Sequence, residues 1–297
     1  MRVLIVGCGY VGLPLGKELA RRGHAVFGLR RSVLAAAELQ AAGIIPLHAD
    51  ITRPETLARL PRDFDWVVNC AASGGGSVED YRNIYLAGNR NLASWLAGSP
   101  LKKYVYTSST SVYGQNDGSV VTEKSPAEPE AETAKILVAA EKFLLAAVER
   151  RFPAVILRVA GIYGPARGHG FKQFLRGTAR IEGDGTRWLN MIHRDDLTGV
   201  ITAALQSAPP GEIFNAADNQ PVSQLKFFTW LAAELKRPLP PGAAPDAEVW
   251  RRRGVTNKQI SNAKLRAELK YEFQFPDFRA GYAAEIARLK TAGGPDF

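Results

Sequence analysis

Gly7-Cys8-Gly9-Tyr10-Val11-Gly12 stands between a short apolar run, Val3-Leu4-Ile5-Val6, and a stretch from Leu13 to Arg22 whose apolar residues recur at helical spacing. Three glycines so spaced, where a strand turns directly into a helix, suit one kind of chemistry. Gly7 permits the tight turn, Gly9 lets backbone approach a pyrophosphate, and Gly12 lets helix and strand pack closely. The helix start adds unsatisfied N–H groups and the positive end of its dipole, both suited to an anion. Tyr10 and Val11 complete the loop. The pattern predicts a dinucleotide site.

The end of the second strand tells one dinucleotide from another. A protein that binds NAD places Asp or Glu there, accepting from the ribose 2′-hydroxyl. This chain has Arg30-Arg31-Ser32, and no carboxylate follows for several residues. Two guanidiniums can fork onto a 2′-phosphate, so NADP(H) is expected over NAD(H). Asp50 and Ile51 follow the third strand and are placed to meet the adenine amine. Asn69-Cys70-Ala71-Ala72 follow the fourth and are placed to line the cofactor with backbone. Ordinary turn chemistry is the other reading of both segments.

These residues need a scaffold, and the first half of the chain supplies one by alternation. Ala25–Leu29, Ile45–Leu47, Trp66–Cys70, Tyr104–Thr107 and Ala154–Arg158 read as further strands. Leu34–Ala42 and Ala134–Arg150 read as helices between them. Such alternation predicts an α/β fold with a doubly wound parallel Rossmann sheet, right-handed at each crossover. The second half loses the rhythm. Residues 161–185 are rich in Gly, Arg and aromatics, residues 238–245 read PLPPGAAP, and helical spacing returns at Asp195–Gln206 and Val222–Lys236. The expected division is a nucleotide-binding domain over 1–160, rejoined by 189–208, and a smaller substrate lobe over 161–297.

The bulk composition agrees with a globular protein. Of 297 residues, 46% are hydrophobic and 23% charged, and no apolar run reaches the roughly 20 residues of a membrane span. With a strand expected from Arg2, neither a signal peptide nor any location but the cytoplasm is expected. Cys8 and Cys70 lack partners at metal spacing and read as small buried fillers; no metal is expected. The net charge is +9, but only Arg251-Arg252-Arg253 cluster. That reads first as a solvated surface and next as attraction to an anionic small molecule; no nucleic-acid module is present, and no nucleic acid is expected.

Beyond the glycine loop, ordered blocks give a family resemblance: NCAAS at Asn69, YTSSTSVYG at Tyr106, RVAGIYGP at Arg158, NMIHRDDL at Asn190, IFNAADNQP at Ile213 and ISNAKLRAEL at Ile260. Nearly end to end, the chain resembles the extended short-chain dehydrogenase/reductases, the NAD-dependent epimerase/dehydratase family. The resemblance implies redox-based chemistry, often on nucleotide-activated sugars, carried by a Ser or Thr, a Tyr and a Lys. The Tyr exchanges a proton with substrate, and a Lys four residues on lowers its pKa from about 10. Ser109 occupies the serine position and Tyr113 lies four residues beyond it, beside the substrate. Aligned on Ala140-Glu141, however, Thr133 holds the Tyr position and Leu137 the Lys position, and no register restores the pair. Tyr85 replaces an Asn that helps organise the family's site. It can supply a phenol from another helix or simply pack there.

The second half offers Tyr163, Asn190, His193 and Arg194 as substrate contacts, with Arg158 and Arg167 as further anion receivers. His193 is a candidate proton carrier; the alternative is that His193 and Asp196 tie the lobe to the sheet. Two functional readings stay open. One is an NADP(H)-dependent oxidoreductase, epimerase or dehydratase with a rebuilt proton-transfer group, acting on a nucleotide sugar or another small carbonyl or hydroxyl compound. The other is a non-catalytic NADP(H)-binding redox sensor or regulator. The helix at 134–150 is apolar on more than one side, which suggests a homodimer; a sedimentation mass equal to one chain would exclude it.

Overall fold

A computed structural model describes residues 1–74, 76–243 and 256–291. The Arg251–Arg253 cluster and the end of the proline-rich loop, Pro245 included, lie outside the described residues. Among those residues, one parallel sheet is built from β1 (Arg2–Val6), β2 (Ala25–Arg30), β3 (Ile45–His48), β4 (Trp66–Asn69), β5 (Lys103–Ser109), β6 (Ala154–Val159) and β7 (Ile213–Ala216), in the order β3-β2-β1-β4-β5-β6-β7. The order reverses between β1 and β4, so a crevice opens beyond their carboxyl ends. Val6 pairs with Leu29 on one side and Asn69 on the other. The register therefore brings the glycine loop, the Arg30-Arg31 pair and the Asn69–Ala72 segment to one sheet edge.

Both faces of the sheet are buried, which explains the continuous apolar runs. On one face Leu4, Val6, Val67, Tyr104 and Ile156 meet Leu92, Leu137 and Leu144. These leucines come from α3, which runs through Val78–Tyr81, a π-wound Arg82–Ala87 and Gly88–Trp95, and from α4 (Glu132–Val148). On the other face Val3, Ile5, Val68, Val105 and Val155 meet Leu15 and Leu19 of α1 (Gly12–Arg21), Leu39 of α2 (Ala36–Ala41), and Val200 and Ile201 of α5 (Arg194–Ser207). The two sets alternate along each strand, as the pleat requires. A separate aromatic cluster of Tyr163, Phe171, Phe174, Phe227, Phe278 and Tyr282 forms the core of the C-terminal part.

Three boundaries differ from the sequence reading. α4 starts at Glu132 and stops at Val148, because Arg151 takes a left-handed turn (φ 67°) into β6. Val222–Ser223 is not helical: it pairs with Trp188–Leu189, and the Ser223 hydroxyl caps the helix Gln224–Leu235 by accepting from Lys226 N. The return to the sheet extends past residue 208: β7 closes the sheet edge, and Leu265 and Leu269 of the helix Ala263–Leu269 join the α1/α5 layer.

Candidate active site

A cleft of about 1980 Å³ runs over the carboxyl ends of the strands, from the glycine loop to the C-terminal aromatic cluster. Small-molecule sites rarely exceed about 1,000 Å³, so there is room for a dinucleotide and a second molecule together.

Gly7, Gly9, Tyr10 and Val11 line one end. Gly7 sits at φ 81° with its N–H donated to Leu29 O at 3.1 Å. Gly12 stands off the cleft wall: a Cβ there would lie 2.8 Å from Gly7 O and from Ile5 Cγ2, so its smallness serves helix–strand packing. A Cβ on Gly9 would enter open space, with nothing nearer than Gly7 O at 4.0 Å. The loop thus leaves a hollow against bare backbone at a helix start, which fits a diphosphate. Tyr10 reaches across the cleft: its hydroxyl donates to Pro165 O at 3.0 Å, and the Arg167 and Arg194 guanidiniums lie 4.8 and 5.3 Å from its ring centre.

Arg30, Arg31 and Ser32 line the neighbouring wall. Arg30 Nη1 donates to Glu38 Oε2 at 2.7 Å, which steadies the guanidinium and leaves its other N–H groups for an anion. Ile51, Ala71 and Ala72 also line the cleft. Asp50 does not: its carboxylate accepts from Thr52 N and Oγ1 at 2.9 and 2.8 Å, closing a turn. Beneath Ala71, Asn69 Oδ1 accepts from the Ala71 N–H, and Asn69 Nδ2 donates to Asn89 Oδ1 at 3.0 Å, which also takes the Tyr104 hydroxyl at 2.6 Å. This buried amide pair sets the loop that follows β4. Cys8 and Cys70 sit just behind the glycine loop, and burial pushes both thiols up to about 12.

At the middle of the cleft, Ser109 ends β5 and caps the 3₁₀ turn Thr110–Val112, its hydroxyl accepting from Ser111 N at 3.2 Å. Ser109 lines the cleft, and Ser111, beside it, keeps a buried hydroxyl with no hydrogen-bond partner among the described residues. Tyr85 enters from the π-wound turn of α3 and its phenol oxygen accepts from Ser73 N at 3.2 Å.

Several expected contacts turn inward instead. Tyr113 is fully buried off the cleft wall, donating to Asn215 Oδ1 and accepting from Arg158 Nη1, both at 2.8 Å. Arg158 is drawn inward by Glu141, and neither faces the cleft. Thr133 is buried in the first turn of α4, away from the cleft, whereas Leu137 reaches its wall. His193 caps α5, its Nδ1 accepting from Asp195 N at 3.2 Å; burial lowers its pKa, and its ring packs on Phe275. Asp196 accepts from Tyr271 Oη, Gln274 N and Phe275 N, tying that segment to the helix. These contacts are those of the reading in which His193 and Asp196 tie the lobe to the sheet. Arg194 is held by Asp195 at 2.8 Å, over Tyr10 and off the cleft wall. Tyr163 borders the cleft but stacks on Tyr282 at 4.5 Å and donates to Asp277 O at 3.3 Å. Asn190 also borders it, with both side-chain atoms committed: Oδ1 accepts from Ile260 N at 2.7 Å and Nδ2 donates to Lys258 O at 2.9 Å.

Lys258 is the residue that sequence reasoning missed. It lines the same cleft, is 4% exposed, and donates from Nζ to Tyr113 O at 2.8 Å and Thr256 Oγ1 at 2.7 Å. Lys258 lies two residues before the block ISNAKLRAEL, and the 145 residues that separate it from Tyr113 hide the contact.

Comparison with known proteins agrees with this geometry. The profile of the NAD dependent epimerase/dehydratase family matches residues 3–217. Protein YeeZ of Escherichia coli is 27% identical over 93% of this chain and 97% of its own length. A 2-alkyl-3-oxoalkanoate reductase of Stenotrophomonas maltophilia is 25% identical, over 80% of this chain and 77% of that protein. A solved structure from Methylobacillus flagellatus, provisionally described as an NAD-dependent epimerase/dehydratase, superimposes with a TM-score of 0.79 at 34% identity, covering 97% of this chain and 98% of that one. No helix among the described residues is long and apolar enough to cross a membrane.

Proposed function

Since the chain belongs to the NAD dependent epimerase/dehydratase family, we propose that it is an NADP(H)-dependent reductase of a small, negatively charged carbonyl compound, nucleotide sugars among them. One observation carries the reading: a single cleft joins the glycine loop and Arg30-Arg31 to Ser109 and then to Arg167, Lys172 and Arg180. The residues around Gly9 would hold the diphosphate and Arg30 with Arg31 the 2′-phosphate. The bound nicotinamide would supply or accept a hydride. Ser109 would hold the substrate oxygen, and the cations beyond it would draw in an anion. The name of the Stenotrophomonas relative, a reductase of oxo acids, supports this chemistry.

Leu137 on the cleft wall favours a second reading, a protein that binds NADP(H) without turnover, because an aliphatic side chain stands where the family's lysine falls. One experiment separates the two. The protein is loaded with NADPH and offered carbonyl acids and oxidised nucleotide sugars, and loss of the reduced cofactor is followed. Turnover supports the reductase; tight binding with no turnover across the panel overturns it.

Cofactor choice has its own test. Arg30→Ala with Arg31→Ala removes charge-assisted hydrogen bonds worth about 1.5–3 kcal/mol, so the Kd for NADPH is expected to rise about 30-fold. NADH binding should change by less than about threefold. Equal losses for both dinucleotides would defeat the assignment.

A further inference from the structure

We propose that Lys258 is the acid–base group of this site, protonating the substrate oxygen held at Ser109 in place of the absent Tyr–Lys pair. The inference rests on the reductase reading above. Three observations carry it: where the amine lies, what it lacks, and how it is held.

The Nζ of Lys258 rests on the carbonyl of Tyr113. That residue closes the turn capped by Ser109, its own N–H donating to Thr110 O. The amine and the Ser109 hydroxyl therefore stand at two ends of one short turn, and Lys258 and Ser109 both line the cleft. Ser111, between them, has a buried hydroxyl without a hydrogen-bond partner among the described residues.

Two of the three ammonium hydrogens are used, on Tyr113 O and Thr256 Oγ1, and no carboxylate pairs with the amine among the described residues. Charged groups on the neighbouring elements are spent elsewhere. Glu123 accepts from Asn215 N, Arg158 is paired with Glu141, and Arg187 with Glu182. A lysine this deeply buried is ordinarily paired. Burial without a counter-charge pulls its pKa down to about 8, where an amine gives up a proton readily at working pH.

The backbone under Lys258 is fixed. Asn190 takes Ile260 N and gives to Lys258 O, while Gln259–Ile260 pairs with Val120–Val121. A rigidly held donor suits proton transfer better than an exposed, flexible lysine.

In the reductive direction the carbonyl carbon would take up the hydride that a reduced nicotinamide supplies when bound. Lys258 gives one proton from Nζ to the carbonyl oxygen, the alcohol leaves, and the neutral amine regains its proton from water. The amine must be protonated to act, so kcat is expected to fall tenfold per pH unit above about 8.

The test compares wild type, Lys258→Met and Lys258→Arg with any carbonyl that the wild type reduces. Both variants are expected to bind NADPH normally, to lose about 100-fold or more in kcat, and to lose the alkaline limb. Lys258→Arg keeps a charge and a donor to Tyr113 O, which guards against a variant that fails to fold. Independently of turnover, 15N-lysine-labelled apoprotein should show one Nζ resonance with a midpoint near pH 8, missing from Lys258→Met. If wild type reduces nothing, both this inference and the reductase reading fall. If wild type turns over and Lys258→Met keeps its rate and alkaline limb, this inference falls alone. It also falls if KM rises with kcat unchanged, which would make Lys258 a binding cation, or if Tyr85→Phe removes the limb instead.

Discussion

Glu141→Ala is expected to lower the unfolding free energy by about 3–5 kcal/mol, the range for breaking a buried ion pair from one side. Glu141 and Arg158 are 2% and 5% exposed and meet through Nη2–Oε2 at 2.8 Å and Nε–Oε2 at 3.1 Å. Burial pulls the Arg158 pKa down, but Glu141 outweighs it and the guanidinium stays charged. Glu141 Oε1 also accepts from the Ser108 hydroxyl at 2.5 Å, and Arg158 Nη1 continues to Tyr113, which reaches Asn215. The chain of contacts links β5, α4, β6 and β7. Truncating Glu141 leaves a buried cation without its counter-charge and the Ser108 hydroxyl without this acceptor, so the loss exceeds that of a surface pair several-fold. Urea unfolding should show a lower midpoint at unchanged slope. Glu141→Met with Arg158→Met should recover part of the loss, because no charge is then stranded. A single-variant loss under about 1 kcal/mol would contradict the account.

The same network shows why part of the site was hidden in the sequence. YTSSTSVYG at Tyr106 has the look of a site motif, yet its residues divide. Ser109 and Ser111 border the cleft, whereas Tyr113 turns inward to Arg158. A motif carries no record of which way a turn rotates its last residue. The Rossmann half was legible for a local reason: strands buried on both faces must be apolar throughout, and Gly12 answers to Gly7 O and Ile5 within its own strand–turn–helix unit. β7 and the helices at 263–269 and 278–291 were not legible. The four residues of β7 carry no helical or alternating pattern, and the helix at Phe278–Thr291 buries only part of its length against an aromatic core assembled from distant segments. Lys258 is the extreme case. Its environment is made by Asn190 and Val120–Val121, both far away in the chain.

Gly7→Ala is expected to abolish dinucleotide binding, with a Kd at least about 100-fold weaker, equivalent to about 2.7 kcal/mol, and to destabilise the fold as well. A Cβ on Gly7 would lie 2.5 Å from both Ala71 Cα and Ala71 N and 2.8 Å from Cys70 C. All three atoms are backbone, so no side chain can swing aside. The left-handed conformation alone costs an alanine roughly 1–2 kcal/mol. Relief requires β1's loop to move away from the segment after β4, which carries the N–H groups and the alanines that border the cleft. Gly9→Ala separates binding from folding. Its Cβ meets nothing nearer than Gly7 O at 4.0 Å and projects into the hollow. That variant should unfold at the wild-type midpoint and still bind NADPH poorly, because the methyl group occupies the space of the diphosphate. Measured side by side, calorimetric Kd values and thermal midpoints give a two-way distinction: Gly7→Ala loses both, Gly9→Ala loses only binding. If Gly9→Ala bound NADPH as tightly as wild type, the hollow over Gly9 would not be where the diphosphate lies.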